Sequence, residues 1–211
     1  MRPLPDGRLQ PVEALLFGGL VTVTGLAYLA LGTDAATATV TALIAALYLG
    51  AYTPLKRVTP LAMVIGAIPG ALPPVTGWVA ARGELGTGAA VLFAILFLWQ
   101  LPHTLAIARL YRDDYAEAGI RVLPVVDPDG ASTERQIVVG CLALLAAGLL
   151  PTLAGLAGPV YFFGAFALGG AFLACGLAQA FAPSPLAARR VLIASVLYLP
   201  LLLGLMALDK V

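Results

Sequence analysis

Of 211 residues, 61% are hydrophobic and only 11% charged, against about 45–50% and 25% in soluble domains. That composition excludes a soluble globular protein, and a net charge of +1 excludes a basic nucleic-acid-binding surface. The chain therefore divides into units of about 20 apolar residues, the length that crosses a bilayer as a helix.

The opening carries Arg2 and Arg8 in a polar, Pro-rich stretch with no apolar core until about residue 14, so no secretory leader is expected and insertion falls to the first span. Spans are predicted over 12–31 and 36–54. After the second comes Tyr52-Thr-Pro-Leu-Lys-Arg-Val-Thr-Pro60, which sets Tyr52, Lys56 and Arg57 at a membrane boundary. The third span, 60–81, contains Gly66, Pro69, Gly70, Pro73, Pro74 and Gly77. Each proline deletes a backbone bond and crowds the preceding turn, so this helix must bend. Broken backbone at membrane depth survives only beside protein or a water-filled cavity, which predicts a cavity here.

The fourth span, 88–110, ends in the densest polar stretch of the chain and holds its only histidine, His103. A helix continuing from Trp99 to Asp114 would bring Gln100, His103, Ile107, Tyr111 and Asp114 to one face. Such a polar stripe suits a wet cleft; for His103 the alternative is a structural hydrogen bond to a neighbouring helix. Asp113 and Asp114, with Glu117 a turn on, either balance Arg109, Arg112 and Arg121 in solvent or hold Mg²⁺, which bridges one or two carboxylates to substrate phosphates. Lys56, Arg57 and Arg2 on the same side, with Tyr52, match the charge of a diphosphate.

Spans over 135–155, 159–181 and 190–208 complete seven. Cys141 and Cys175 lie inside apolar runs and are expected as small buried hydrophobes, not a bridge. Gly66 with Gly70, and Gly164 with Gly169 and Gly170, have the spacing that lets helices approach closely. Runs this long and uniformly apolar exclude barrel strands, so the fold class is all-α: a polytopic transmembrane helix bundle, one domain over residues 1–211. Ten of the 12 Lys and Arg fall before span one and after spans two, four and six. By the positive-inside rule those segments and the N-terminus are cytoplasmic.

Taken together, Tyr52 to Pro60, Gly66 to Trp78, Trp99-Gln-Leu-Pro-His103 and Asp113-Asp-Tyr-Ala-Glu-Ala-Gly-Ile-Arg-Val-Leu-Pro-Val-Val126 resemble, in order and spacing, the protoheme IX farnesyltransferases, or heme O synthases. These are a branch of the UbiA-type intramembrane prenyltransferases. The resemblance implies transfer of a farnesyl group from farnesyl diphosphate to a vinyl group of protoheme IX, with Mg²⁺, in the cell membrane of a prokaryote. It implies Lys56, Asp113 and Asp114 as catalytic groups and Arg2, Tyr52, Lys56 and Arg57 at the diphosphate. It further implies Asp113 and Asp114 at the metal, His103 and Gln100 on the heme side, and contact with heme A synthase or a terminal oxidase assembly.

The family has nine spans and an earlier acidic motif just ahead of the Arg-Pro-Leu-Pro segment, whereas here Met1 directly precedes Arg2. The expectation is a chain without the first two family helices and with impaired activity. Ala62 and Thr104 also replace residues usual in the family. Two other readings stay open: a non-catalytic membrane binder of heme or isoprenoid, and a small transporter. Against the latter, no internal duplication is visible.

Overall fold

The computed structural model describes Leu4 and residues 6–211; Arg2 lies outside the described residues. Among the described residues seven helices are long and apolar enough to cross a membrane: Pro11–Gly32, Ala35–Leu55, Ala62–Arg82, Thr87–Leu110, Ala131–Leu153, Pro159–Phe181 and Pro185–Leu208. They coincide with the seven expected spans, the largest difference being a start at Pro185 instead of residue 190. The chain is an all-α integral membrane protein.

Local chemistry subdivides these rods. Helix α1 is Pro11–Gly32, and Asp34 caps α2 (Ala35–Leu47) by accepting from the Thr37 N–H. A π-helical turn, Tyr48–Tyr52, follows before the single turn α3, Thr53–Leu55. Pro54 cannot donate to the Gly50 carbonyl, and the Thr53 N–H reaches instead to Tyr48 O. The wider turn thus answers to one residue. The third span divides into α4 (Ala62–Ala71) and α5 (Pro73–Arg82) at Leu72, immediately before Pro73 and Pro74. Helix α6 is Thr87–Leu110, followed by short α7 (Arg112–Glu117) and α8 (Leu123–Val126). The last three spans are α9 (Ala131–Leu153), α10 (Pro159–Phe181) and α11 (Pro185–Leu208).

Helices α6, α9, α10 and α11 form the core bundle. Ile95, Ile137, Leu144, Phe172, Tyr198 and Leu202 are buried within it. Lipid is as apolar as leucine, so close packing and internal polar bonds, not hydrophobicity, must draw such helices together. Both are present. A Cβ on Gly140 would come within 3.0 Å of the Pro102 ring, and one on Gly176 within 3.1 Å of Cys141 Sγ. The Tyr161 hydroxyl donates to Gly148 O at 2.7 Å. Cys141 and Cys175 carry free thiols. Helices α4 and α5 lean on α6, α2 leans on both, and α1 packs on α2.

Candidate active site

A hollow of about 260 Å³ lies beside α4 of the broken third span, where a cavity is expected, with Tyr52, Gly66, Gly70, Gln100, Thr104 and Tyr115 in its wall. Gly66 and Gly70 serve it directly: a Cβ on Gly66 would meet the Tyr52 ring at 2.5 Å, and one on Gly70 would strike the Gln100 amide. These two glycines make room for side chains, not for another backbone. Gln100 is fixed by donating from Nε2 to Ala67 O (2.9 Å) and Leu96 O (3.1 Å). The Thr104 hydroxyl donates to the Gln100 carbonyl.

Tyr52 reaches the hollow from the π-helical turn, and Lys56 Nζ stands 5.8 Å from its ring centroid. The loop after α7 is tied to the same corner, because the Arg121 N–H donates to Lys56 O at 2.9 Å. Arg57 is exposed beside it. The structure therefore gathers Tyr52, Gln100 and Tyr115 around one opening, with Lys56 beside the Tyr52 ring.

The expected stripe from Gln100 to Asp114 does not survive intact. Tyr111 adopts φ −113°, ψ 32°, so α6 stops at Leu110 and a new helix begins at Arg112. Asp113 and Asp114 occupy its first turn, where the positive end of the helix dipole favours carboxylates. His103 leaves the stripe as well. It stacks on Trp99, with 4.7 Å between ring centroids, and its Nδ1 lies 2.7 Å from Ser195 Oγ on α11. Ser195 donates its own proton to Leu192 O (2.6 Å), so Nδ1–H is the donor in that pair and Nε2 keeps its lone pair. The structural hydrogen bond weighed for His103 is present, and it fixes the ring while leaving one nitrogen basic.

Asp113 borders a different hollow, shared with Arg109, Arg112 and Ser184, and Asp114 is exposed. Among the described residues no cation lies within 4.0 Å of either carboxylate. Nor do three His, Cys, Asp or Glu side chains converge into a metal cage among the described residues. Two exposed oxygen donors suit Mg²⁺, a hard ion usually held by one or two carboxylates, waters and substrate phosphates.

One constellation went unread in the sequence. Arg109 Nε lies 3.3 Å from Glu134 Oε1, which also accepts from Gln179 Nε2 at 2.9 Å. Glu134 and Gln179 are buried. The ends of α6, α9 and α10 are thereby joined just ahead of the acidic turn. Asp127 braces the same corner by accepting from Thr133 N (2.8 Å) and Oγ1 (2.9 Å). A glutamine near the end of an apolar span was the available signal, since an amide in lipid demands a partner.

The UbiA prenyltransferase family matches residues 1–207. A protoheme IX farnesyltransferase of Solibacter usitatus (strain Ellin6076) is 51% identical over 209 residues, covering 99% of this chain and 72% of the relative. Its counterpart in Koribacter versatilis (strain Ellin345) is 46% identical over 217 residues, covering 100% of this chain and 70% of the relative. In Sorangium cellulosum (strain So ce56) the corresponding protein is 44% identical, with 95% and 72% covered. A solved structure described as giving insights into the biosynthesis of digeranylgeranylglyceryl phosphate synthase in membranes superposes with a TM-score of 0.78 at 19% identity, covering 99% of this chain and 73% of that one. At that identity it speaks to the fold alone.

Proposed function

Because the chain belongs to the UbiA prenyltransferase family, we propose that it transfers a farnesyl group from farnesyl diphosphate to a vinyl group of protoheme IX, making heme O. The observation that carries this is 51% identity over 99% of the chain to a relative bearing the name protoheme IX farnesyltransferase. The hollow beside α4 supports it, with a cationic corner at its mouth and a wall that mixes aromatic and apolar groups.

In this reading Lys56, Arg57 and Arg2 attract the diphosphate and Tyr52 orients it, while Asp113 and Asp114 would hold Mg²⁺. When bound, the ion supplies positive charge to the departing diphosphate. The C1–O bond breaks and the diphosphate leaves with the electron pair. The vinyl carbon bonds to C1, and water adds to the cation left beside the porphyrin, releasing a proton. Met63, Ala67 and Val122 keep the hollow apolar, which delays capture of the allylic cation by water. The faces of Tyr52 and Tyr115 offer it π density. His103, with Nε2 basic, and Gln100 lie on the heme side.

Residues 1–211 act as one prenyltransferase domain in the plasma membrane of a prokaryote, N-terminus in the cytoplasm, and hand the product to heme A synthase or an oxidase assembly. The test is direct. Membranes containing the protein are supplied with farnesyl diphosphate, Mg²⁺ and protoheme, and the hemes are resolved by liquid chromatography and mass spectrometry. Heme O that appears with the unaltered chain and is lost in Lys56→Ala supports the proposal. Protoheme recovered unchanged overturns it in favour of a binder without turnover.

A further inference from the structure

The opposite end of the bundle carries a second arrangement that the transferase reading does not use. A hollow of about 190 Å³ opens where α5 and α6 meet the C-terminal end of α11. Its floor is apolar, formed by Val91, Leu92, Leu156 and Met206, and its rim carries Arg82 and Lys210. Trp78 forms one side, and its indole N–H is buried without any acceptor.

Arg82 does not pair with nearby Glu84, since among the described residues no carboxylate lies within 4.0 Å of it. Its guanidinium instead sits 5.4 Å from the centroid of the Trp78 ring. Lys210 is likewise without a carboxylate within 4.0 Å among the described residues. Asp209 beside it is already occupied, accepting from Tyr161 N at 2.7 Å. Two unpaired cations and an apolar floor, both at one end of a membrane bundle, ask for an anion attached to hydrocarbon.

We propose that this hollow binds the headgroup phosphate of an anionic phospholipid, one acyl chain lying along Val91, Leu92, Leu156 and Met206. The phosphate neutralises Arg82 and Lys210 beside the Trp78 ring. The lining of this hollow shares no residue with that of the hollow beside α4, which separates the two sites. Trp78 and Trp99 are the only two tryptophans in the chain, so fluorescence reads the site. In the Trp99→Phe protein reconstituted in nanodiscs, brominated phosphatidylglycerol should quench Trp78 more strongly than brominated phosphatidylcholine.

Roughly fivefold for each cation gives a preference of about 25-fold for the anionic lipid. In a variant that also carries Arg82→Gln and Lys210→Gln, the preference should disappear. Should Trp99→Phe fail to fold, native mass spectrometry of the unaltered chain and of Arg82→Gln/Lys210→Gln counts the two lipids retained, with the same expectation. Equal affinity for both lipids, or a preference that outlasts loss of both cations, overturns the proposal. Displacement of the lipid by soluble glycerol phosphate would make this a free-phosphate site and overturn the lipid assignment; no displacement supports it. None of these readouts depends on prenyl transfer.

Discussion

Helices α1 and α9 are nearly the same length and equally apolar, with mean hydropathy 2.0 and 2.1 over their central windows, yet none of the first is buried and 39% of the second is. Glycine content does not separate them. Gly18, Gly19 and Gly25 of α1 have nothing within 4 Å of where a Cβ would sit, whereas Gly140 and Gly148 of α9 face Pro102 and the Tyr198 hydroxyl. Hydropathy decides that a segment crosses the membrane; polar anchors decide what it packs on. Helix α9 begins with Thr133 and Glu134, both bonded to neighbours, and α1 has no such anchor inside its span. Small residues permit close approach, and buried polar pairs select the partner.

That contrast can be broken most sharply at Glu134. Replacing it with alanine leaves Arg109 and Gln179 without their shared acceptor, and stranding part of a buried ion pair costs about 3–5 kcal/mol. Thermal unfolding in detergent should fall accordingly, and an unchanged midpoint would show that the polar corner does not hold the bundle.

Gly66→Ala probes the hollow between the two regions. A methyl group there must displace the Tyr52 ring, and misplacing a substrate-positioning group by about 1 Å costs about 100-fold in rate. Heme O formation should drop on that scale while the unfolding midpoint moves little; full activity would remove Tyr52 from the site.

On α1, where Leu20 is 67% exposed, Leu20→Ala should alter stability by less than about 0.5 kcal/mol. A loss comparable with that at Glu134 would mean that α1 packs on more than α2.

A pH-dependent effect is expected at Asp34. Hydrogen bonds from the Thr37 hydroxyl and N–H hold its carboxyl below the usual 3.8. A depressed pKa contributes stability that is complete above 3.8 and vanishes as the pH falls through the folded value. Asp34→Ala should therefore weaken α2 slightly at neutral pH, and its difference from the unaltered protein should close below about pH 4. A difference that persists in strong acid would assign the effect to something other than the ionised cap.

Much of this architecture was legible in the residues. The seven spans follow from hydropathy alone, and the break in the third follows from Pro73 and Pro74, because proline arithmetic is local. What escaped was direction. Gln100 and His103 share a helix face by spacing, yet one turns into the hollow and the other to Ser195, since χ angles answer to neighbours 33 and 92 positions away. Asp114 left the stripe because one residue, Tyr111, departs from helical angles, and nothing in its type announces that. Arg109, Glu134 and Gln179 sit in three different spans, and no periodicity links them.

The π-helical turn at Tyr48–Tyr52 also sets which way the next residues face. An α-helix advances by about 100° per residue, and this turn accommodates one residue more than a regular one. Regularising the turn with its length unchanged would swing Tyr52 and Lys56 about a quarter of the way around the axis, whereas deleting one residue here would cancel the extra and leave them facing as they do. A protein regularised without loss of a residue would carry its cationic corner away from the hollow. An alignment without gaps would count it as intact.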